Sequence, residues 1–329
     1  MQRREFITLF GGTAATWPLA ARAQQPKQMR RVGVITGDYE TDPEVQVRIG
    51  AFQKRLADLG WIERRTIRFD FRWGANDIDR IQTTAADLVN LRPDAILSMG
   101  TPVTVELQRQ TRTVPIVFTL VADPVASGLV ESLAHPGANI TGFTNYEYAI
   151  AGKWLKLLKE SAPRIERFLV IQNPANVSAP GLLREIESGV RSFGAQVTTA
   201  SALDAAELER AIEAFARQPN GGLIVLPDSA TSNLRASIVA LAAAHQLPAI
   251  YPFRYFALSG GLMSYGIDTV DPFQRAASYI DLILKGSAPG DLPVQAPNKF
   301  ELVITMKTTK ALRLTVPPNT LAIADEVID

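Results

Sequence analysis

Cysteine is absent from this chain of 329 residues, and histidine occurs only twice, at His135 and His245. Without thiols there are no disulfides, no thiolate-held zinc, no cysteine nucleophile and no lipid-anchored N-terminal cysteine. A zinc site or a Ser-His-Asp triad would have to be built around one of two distant imidazoles. No Gly-x-Gly-x-x-Gly follows the first predicted strand and no P-loop occurs, so a nucleotide cofactor and an ATPase role both lack support. No cofactor and no metal are expected. Charge of one sign is not in excess either: 34 basic residues face 33 acidic ones. A near-neutral body without a basic stripe gives no electrostatic reason to bind nucleic acid.

What is present is a chain with apolar residues at 47% and charged residues at 20%, which excludes global disorder. Its length allows two domains of ordinary size. Residues 1–23 read as an export signal. Arg3 and Arg4 give a basic start, Phe6 to Ala21 is apolar but short for a membrane span, and Ala21-Arg22-Ala23 supplies small residues around a cleavage point. Arg3-Arg4-Glu5-Phe6-Ile7 fits a twin-arginine motif or an ordinary secretion signal. Either route predicts a periplasmic protein after cleavage, with a formal charge of −1 in place of +1.

Beyond Arg30 the pattern alternates strand and helix. A short apolar run at 31–36 precedes a helix whose stripe is Val45, Ile49, Phe52, Leu56 and Leu59, closed by Gly60. Ile67, Phe69, Phe71 and Trp73 alternate with polar residues, which predicts a half-exposed strand near a sheet edge. Further strands are expected at 95–99 and 116–121. A second series follows at 168–172, 196–199, 223–226 and 249–251, with helices between them. Asp204 and Glu207 form a candidate capping box. The third and fourth strands of each half also correspond: Val114-Pro115-Ile116-Val117-Phe118 resembles Leu247-Pro248-Ala249-Ile250-Tyr251. This predicts an internally duplicated α/β protein of two Rossmann-like lobes with parallel sheets. The first lobe is expected at 30–143 plus about 262–290, the second at 144–261 plus about 291–329. Hinges are expected near Phe143–Asn145, Gly260–Leu262 and Pro289–Pro293.

Ligands of open parallel sheets sit beyond the carboxyl ends of the strands, so two facing lobes enclose a cleft lined by the loops after each strand. Candidates from the first lobe are Thr36, Tyr39, Ser98, Gly100, Thr101 and Asp123. Gly100-Thr101-Pro102 opens a helix whose free amides attract an anion, so Ser98 and Thr101 are read as holding a ligand carboxylate; the alternative is that Thr101 caps its own helix. From the second lobe come Asn173, Asn176 and Asp228. Asp123 and Asp228 each offer a partner for a ligand ammonium group, or else a turn or helix cap. Tyr251, Phe253 and Tyr265 either stack on an aromatic ligand or pack the core and hinge. His245, in register with Leu241, is expected to be a core histidine.

The chain resembles a known family in many short segments. These include Leu59-Gly60-Trp61-Ile62-Glu63, Asp123-Pro124-Val125, His135-Pro136-Gly137-Ala138-Asn139-Ile140-Thr141-Gly142, Gly260-Gly261-Leu262-Met263-Ser264-Tyr265-Gly266 and Lys299-Phe300-Glu301-Leu302-Val303-Ile304. Together they look like the ABC-transporter substrate-binding family that includes tryptophan- and tyrosine-type binding proteins. The resemblance implies a type I periplasmic-binding (Venus-flytrap) architecture and a small-molecule ligand, with an amino acid or aromatic carboxylate favoured. It also implies an ABC permease as partner and no catalysis; a monomer is expected. Arg64 and Arg313 stand where the family pattern leads one to expect glycine, and Thr309 where it leads one to expect alanine. A sensory module docking on a membrane receptor is the alternative function, and a periplasmic enzyme a further one. A repressor domain is disfavoured because no helix-turn-helix precedes the first strand.

Overall fold

The computed structural model describes residues 29–297 and 299–329. The expected export segment lies outside the described residues. β1 (Arg30–Thr36) opens the first lobe with Val32, Val34 and Ile35 buried on both faces, as a central parallel strand requires. α1 (Pro43–Asp58) begins at Asp42, whose carboxylate accepts the Glu44 amide at 2.8 Å, with Pro43 in the first turn. Val45, Ile49, Phe52 and Leu56 form its inward stripe, and Arg48 is buried among them. β2 (Ile67–Trp73), α2 (Ile78–Asn90), β3 (Ala95–Met99), α3 (Thr101–Gln110), β4 (Ile116–Val121) and β5 (Ile140–Thr144) complete the lobe. Its five strands are parallel, in the order β2-β1-β3-β4-β5, with β2 at the edge as its alternation predicts.

β5 has no counterpart in the sequence reading. Ile-Thr-Gly-Phe-Thr lacks an apolar run, yet all five residues are buried. Gly142 permits this: a Cβ there would stand 2.2 Å from the Phe118 carbonyl oxygen.

The second lobe runs through α4 (Ile150–Ser161), β6 (Arg167–Gln172), α5 (Ala179–Ser192), β7 (Gln196–Ser201), α6 (Ala205–Ala216), β8 (Gly221–Val225), α7 (Ser229–Asn233), α8 (Arg235–Ala244), β9 (Ala249–Tyr251), α9 (Arg254–Leu258) and β10 (Met263–Ile267). The parallel series β7-β6-β8-β9-β10 repeats the strand order of the first sheet, so the duplication extends to the whole sheet. After α10 (Asp271–Leu284), β11 (Phe300–Thr305) adds antiparallel to β10. α11 (Met306–Ala311) and α12 (Pro318–Ala322) then lead to β12 (Glu326–Ile328), which pairs parallel with β11.

The lobe assignments expected beyond residue 261 need correction. β10 pairs with β9 and β11, so it belongs to the second sheet. Only α10 returns to the first lobe, where Phe273, Ala277, Ile280 and Leu284 join the core under α1. The Pro-rich segment after α10 stays there too: Val294 is buried in the first lobe, and the Gln295 amide donates to Gly142 O at 3.0 Å. The chain therefore crosses between lobes after Thr144, between Ile267 and Asp271, and between Gln295 and Phe300. The first crossing is where it was expected. The other two are not, because Gly260-Gly261 is a turn inside the second lobe and the prolines run alongside β5. His245 is likewise only half-buried, as the residue that ends α8.

Candidate functional site

The strand tips of the two lobes converge on one hollow of about 240 Å³. Gly37 and Asp38 follow β1, Gly100 and Thr101 follow β3, and Leu120 lies in β4. Opposite them, Asn173 and Asn176 follow β6, Asp228 and Ser229 follow β8, and Phe253 follows β9. This is the location that parallel sheets dictate. The walls meet at the cavity's edge: a Cβ on Gly37 would stand 3.2 Å from Ser229 Oγ. Ser178 Oγ of the second lobe donates to Thr101 Oγ1 of the first at 3.2 Å. The cleft is closed.

Asp228 is the most elaborately held side chain of the site. Its carboxylate accepts the Ala230 amide at 2.8 Å, capping α7, Asn173 Nδ2 at 3.0 Å and Asn176 Nδ2 at 2.8 Å. Burial nevertheless pushes its pKa above the ordinary carboxylate value, against the pull of these three donors, and the charge of Asp38 adds to the rise. Asp38 itself is 4% exposed and accepts Thr36 Oγ1 at 2.6 Å. Among the described residues neither carboxylate has a basic partner in an ion pair.

Arg48 supplies the opposite charge. It lines the cavity from α1 and is 3% exposed. Nε donates to Glu44 O at 2.9 Å, and the guanidinium lies 5.9 Å from the Tyr255 ring centroid and 6.0 Å from that of Phe273. Among the described residues it forms no ion pair, which is costly for a guanidinium at this depth unless an anion arrives. Ile78, Ile81, Met99, Leu120, Leu203 and Phe253 give the rest of the hollow an apolar wall. Leu120 holds φ at 55°, a left-handed conformation that is rare for its type, beside the irregular register of β4 against β5.

The N-terminus of α3 also opens here. Gly100 takes φ 87°, a turn that favours glycine, and no side chain caps the helix. Thr101 therefore does not cap its own helix; its hydroxyl accepts from Ser178 Oγ at 3.2 Å and from the Ala122 amide at 3.4 Å.

Of the expected site residues, Gly100, Thr101, Asn173, Asn176, Asp228 and Phe253 line the cavity. The others are corrected by the structure. Ser98 is fully buried behind the tip, hydrogen-bonded to Thr104 Oγ1 at 2.7 Å, so it is not part of a carboxylate cradle. Thr36 supports Asp38 without reaching the hollow, and Tyr39 is 46% exposed outside it. Asp123 sits at φ 39° and accepts the Ala126 amide at 3.0 Å, which is the turn role and not an ammonium site. Tyr265 stacks on Phe300 at 5.8 Å, and Tyr251 packs on Phe256 at 5.0 Å; both lie away from the cavity. Arg48 and Asp38 were missed. A cation inside an otherwise apolar helical stripe was the available signal for the first.

No helix among the described residues is long and apolar enough to cross a membrane, and no cluster there of three or more His, Cys, Asp or Glu is fit to hold a metal. Two duplicated parallel lobes closed over a charged and apolar hollow define a two-lobed solute-binding protein. Residues 40–328 match the family model described as ABC transporter substrate binding protein, and the chain belongs to that family. It is 27% identical over 286 residues to a tyrosine-binding protein of Clostridioides difficile, covering 87% of this chain and 81% of that protein. A crystal structure of a conserved domain protein from Vibrio cholerae superposes with a TM-score of 0.84 at 26% identity, covering 91% of this chain and 100% of that one. An ABC domain from Streptococcus pneumonia, solved in complex with L-Trp, gives a TM-score of 0.82 at 22% identity over 91% and 100% of the two chains.

Proposed function

We propose that this substrate-binding protein captures an amino acid with a large apolar or aromatic side chain outside the cytoplasm and presents it to an ABC permease, without catalysis. One observation carries the reading. A cation, Arg48, and two carboxylates, Asp38 and Asp228, none of them with an ion-pair partner among the described residues, line the same apolar hollow. An α-amino acid brings the complementary pair of charges on one carbon, and its side chain takes the apolar wall. Arg48, aided by the free amides at the start of α3, is the receptor for the carboxylate. Asp228, fixed by two asparagines, and Asp38 receive the ammonium group.

The named ligands of two similar proteins, tyrosine and L-Trp, support an aromatic amino acid. The residues at the cavity offer carboxylates, amides, hydroxyls and one guanidinium, but no imidazole or thiol to serve as base or nucleophile. Residues 1–23 deliver the chain to the periplasm, where it acts as a monomer. A thermal-shift screen of L-tyrosine, L-tryptophan, aliphatic amino acids and sugars tests the assignment. At a hundredfold excess over Kd, a true ligand stabilises the fold by about 2.7 kcal/mol. Aromatic amino acids are expected to raise Tm; a response to sugars alone would overturn the reading.

A further inference from the structure

Arg235 lies outside the cavity, at the start of α8 in the second lobe. Its guanidinium donates to Asp42 Oδ2 in the first lobe at 2.6 Å and to Ser232 O at 3.0 Å. The side chains are 20% and 7% exposed, and among the described residues this is the one ion pair that joins the lobes. Asp42 divides its carboxylate: Oδ1 caps α1 through the Glu44 amide at 2.8 Å, and Oδ2 takes the arginine.

The pair is coupled to the site through Tyr255. Arg235 lies 5.7 Å from the centroid of this ring and Arg48, across the lobe boundary, 5.9 Å from it. The Tyr255 hydroxyl and Ser232 Oγ are 2.8 Å apart, and Ser232 lines the cavity. One aromatic ring thus touches the interlobe arginine, the cavity arginine and a cavity serine. Separating the lobes breaks the Asp42 contact and removes Arg48 from the ring in the same motion, since Asp42 and Arg48 both ride on α1.

We propose that Arg235 is a positioning residue for ligand retention. Its bond to Asp42 forms on closure, sets how long the cleft stays shut, and holds the Tyr255 face that orients Arg48. The retention half rests on the reading that a guest occupies the closed cleft; the closure half does not. Asp42→Asn separates the roles, because asparagine keeps a cap for the Glu44 amide while the charge is lost.

The first measurement needs no ligand. The chain has no cysteine, so spin labels at Gln82→Cys and Glu213→Cys, both exposed and in different lobes, report one interlobe distance. The unliganded protein is expected to show a closed population that falls several-fold in Asp42→Asn and in Arg235→Gln, with the double variant no worse than either single one. Identical distance distributions in all four proteins would overturn the proposal. The second measurement uses L-tyrosine in stopped flow. Each variant is expected to dissociate it roughly tenfold faster with little change in association, and Arg235→Lys to recover part of the loss. Equal dissociation rates would also overturn it. If L-tyrosine fails to bind the parent protein, the ligand assignment is wrong, and the distance measurement still decides the role of Arg235. Unchanged Tm of the unliganded variants excludes simple unfolding as the cause.

Discussion

The two lobes share a strand order but not a way of building their half of the site. In the second lobe, Asp228 is fixed by an amide and two asparagines, and Phe253 is stacked on Tyr255 at 5.3 Å. In the first, Arg48 has a single hydrogen bond among the described residues, to a backbone carbonyl, and the amides opening α3 have no side-chain cap. A duplicated sheet thus yields one wall that is complete before the guest arrives and one that the guest completes. The difference assigns pre-organisation to the second lobe and the larger change on binding to the first.

The sharpest way to break this comparison is at Arg48. Arg48→Gln removes the charge that awaits a carboxylate and is expected to weaken an aromatic amino acid by at least a hundredfold, about 2.7 kcal/mol. Calorimetric titration reads it, and a loss below threefold would mean that the α3 amides suffice alone.

Asp228 comes next, through pH. Its pKa is raised from 3.8, first by burial. An ammonium group favours the carboxylate, so binding releases a proton wherever the free site holds one. Affinity is therefore expected to be full above that raised pKa and to fall as pH drops through it, starting above the range of an ordinary aspartate. Asp38→Asn removes the neighbouring charge that contributes to the rise, so the same fall should move to lower pH. Titrations from pH 7 to pH 4 check both, and an unmoved midpoint would show that Asp38 and Asp228 do not sense each other.

A smaller effect separates two hydroxyls at the tip of β3. Thr101→Ala removes one of the two interlobe acceptors of the Ser178 hydroxyl, leaving Ala122 O, and should cost a few-fold in affinity, about 1 kcal/mol. Ser98→Ala should leave affinity unchanged despite lying three residues away, because the Ser98 hydroxyl pairs with Thr104 behind the tip. The smallest effect lies outside the site. Arg313 holds φ at 52°, and Arg313→Gly should raise stability by roughly 0.5–1 kcal/mol in a denaturant titration, with binding untouched.

These tests mark what the sequence made legible. Apolar periodicity located β3, β4 and β9 to the residue, because each is a buried run bounded by turn residues. Asp204 supplies its half of the expected capping box, accepting the Glu207 amide at 2.6 Å. The resemblance that made glycine the expected residue at Arg64 and Arg313 agrees with the structure, since both are left-handed, at φ 61° and 52°. Strand tips gave part of the site, Asn173 and Asp228 among it. They could not tell which side chain of a tip faces the hollow: Ser98 turns behind it, and Asp38 was passed over between Thr36 and Tyr39. Arg48 escaped because a helical stripe was read for apolar residues only, and β5 because its burial depends on a glycine contact with Phe118 that no local pattern encodes.

The most direct test is calorimetry of L-tyrosine or L-tryptophan against the same molecule without its carboxylate and without its ammonium group, on the parent protein and on Arg48→Gln. The account predicts that each truncated analogue binds the parent at least a hundredfold more weakly, and that Arg48→Gln no longer distinguishes the amino acid from the amine. Equal binding of amino acid and amine by the parent protein would contradict it.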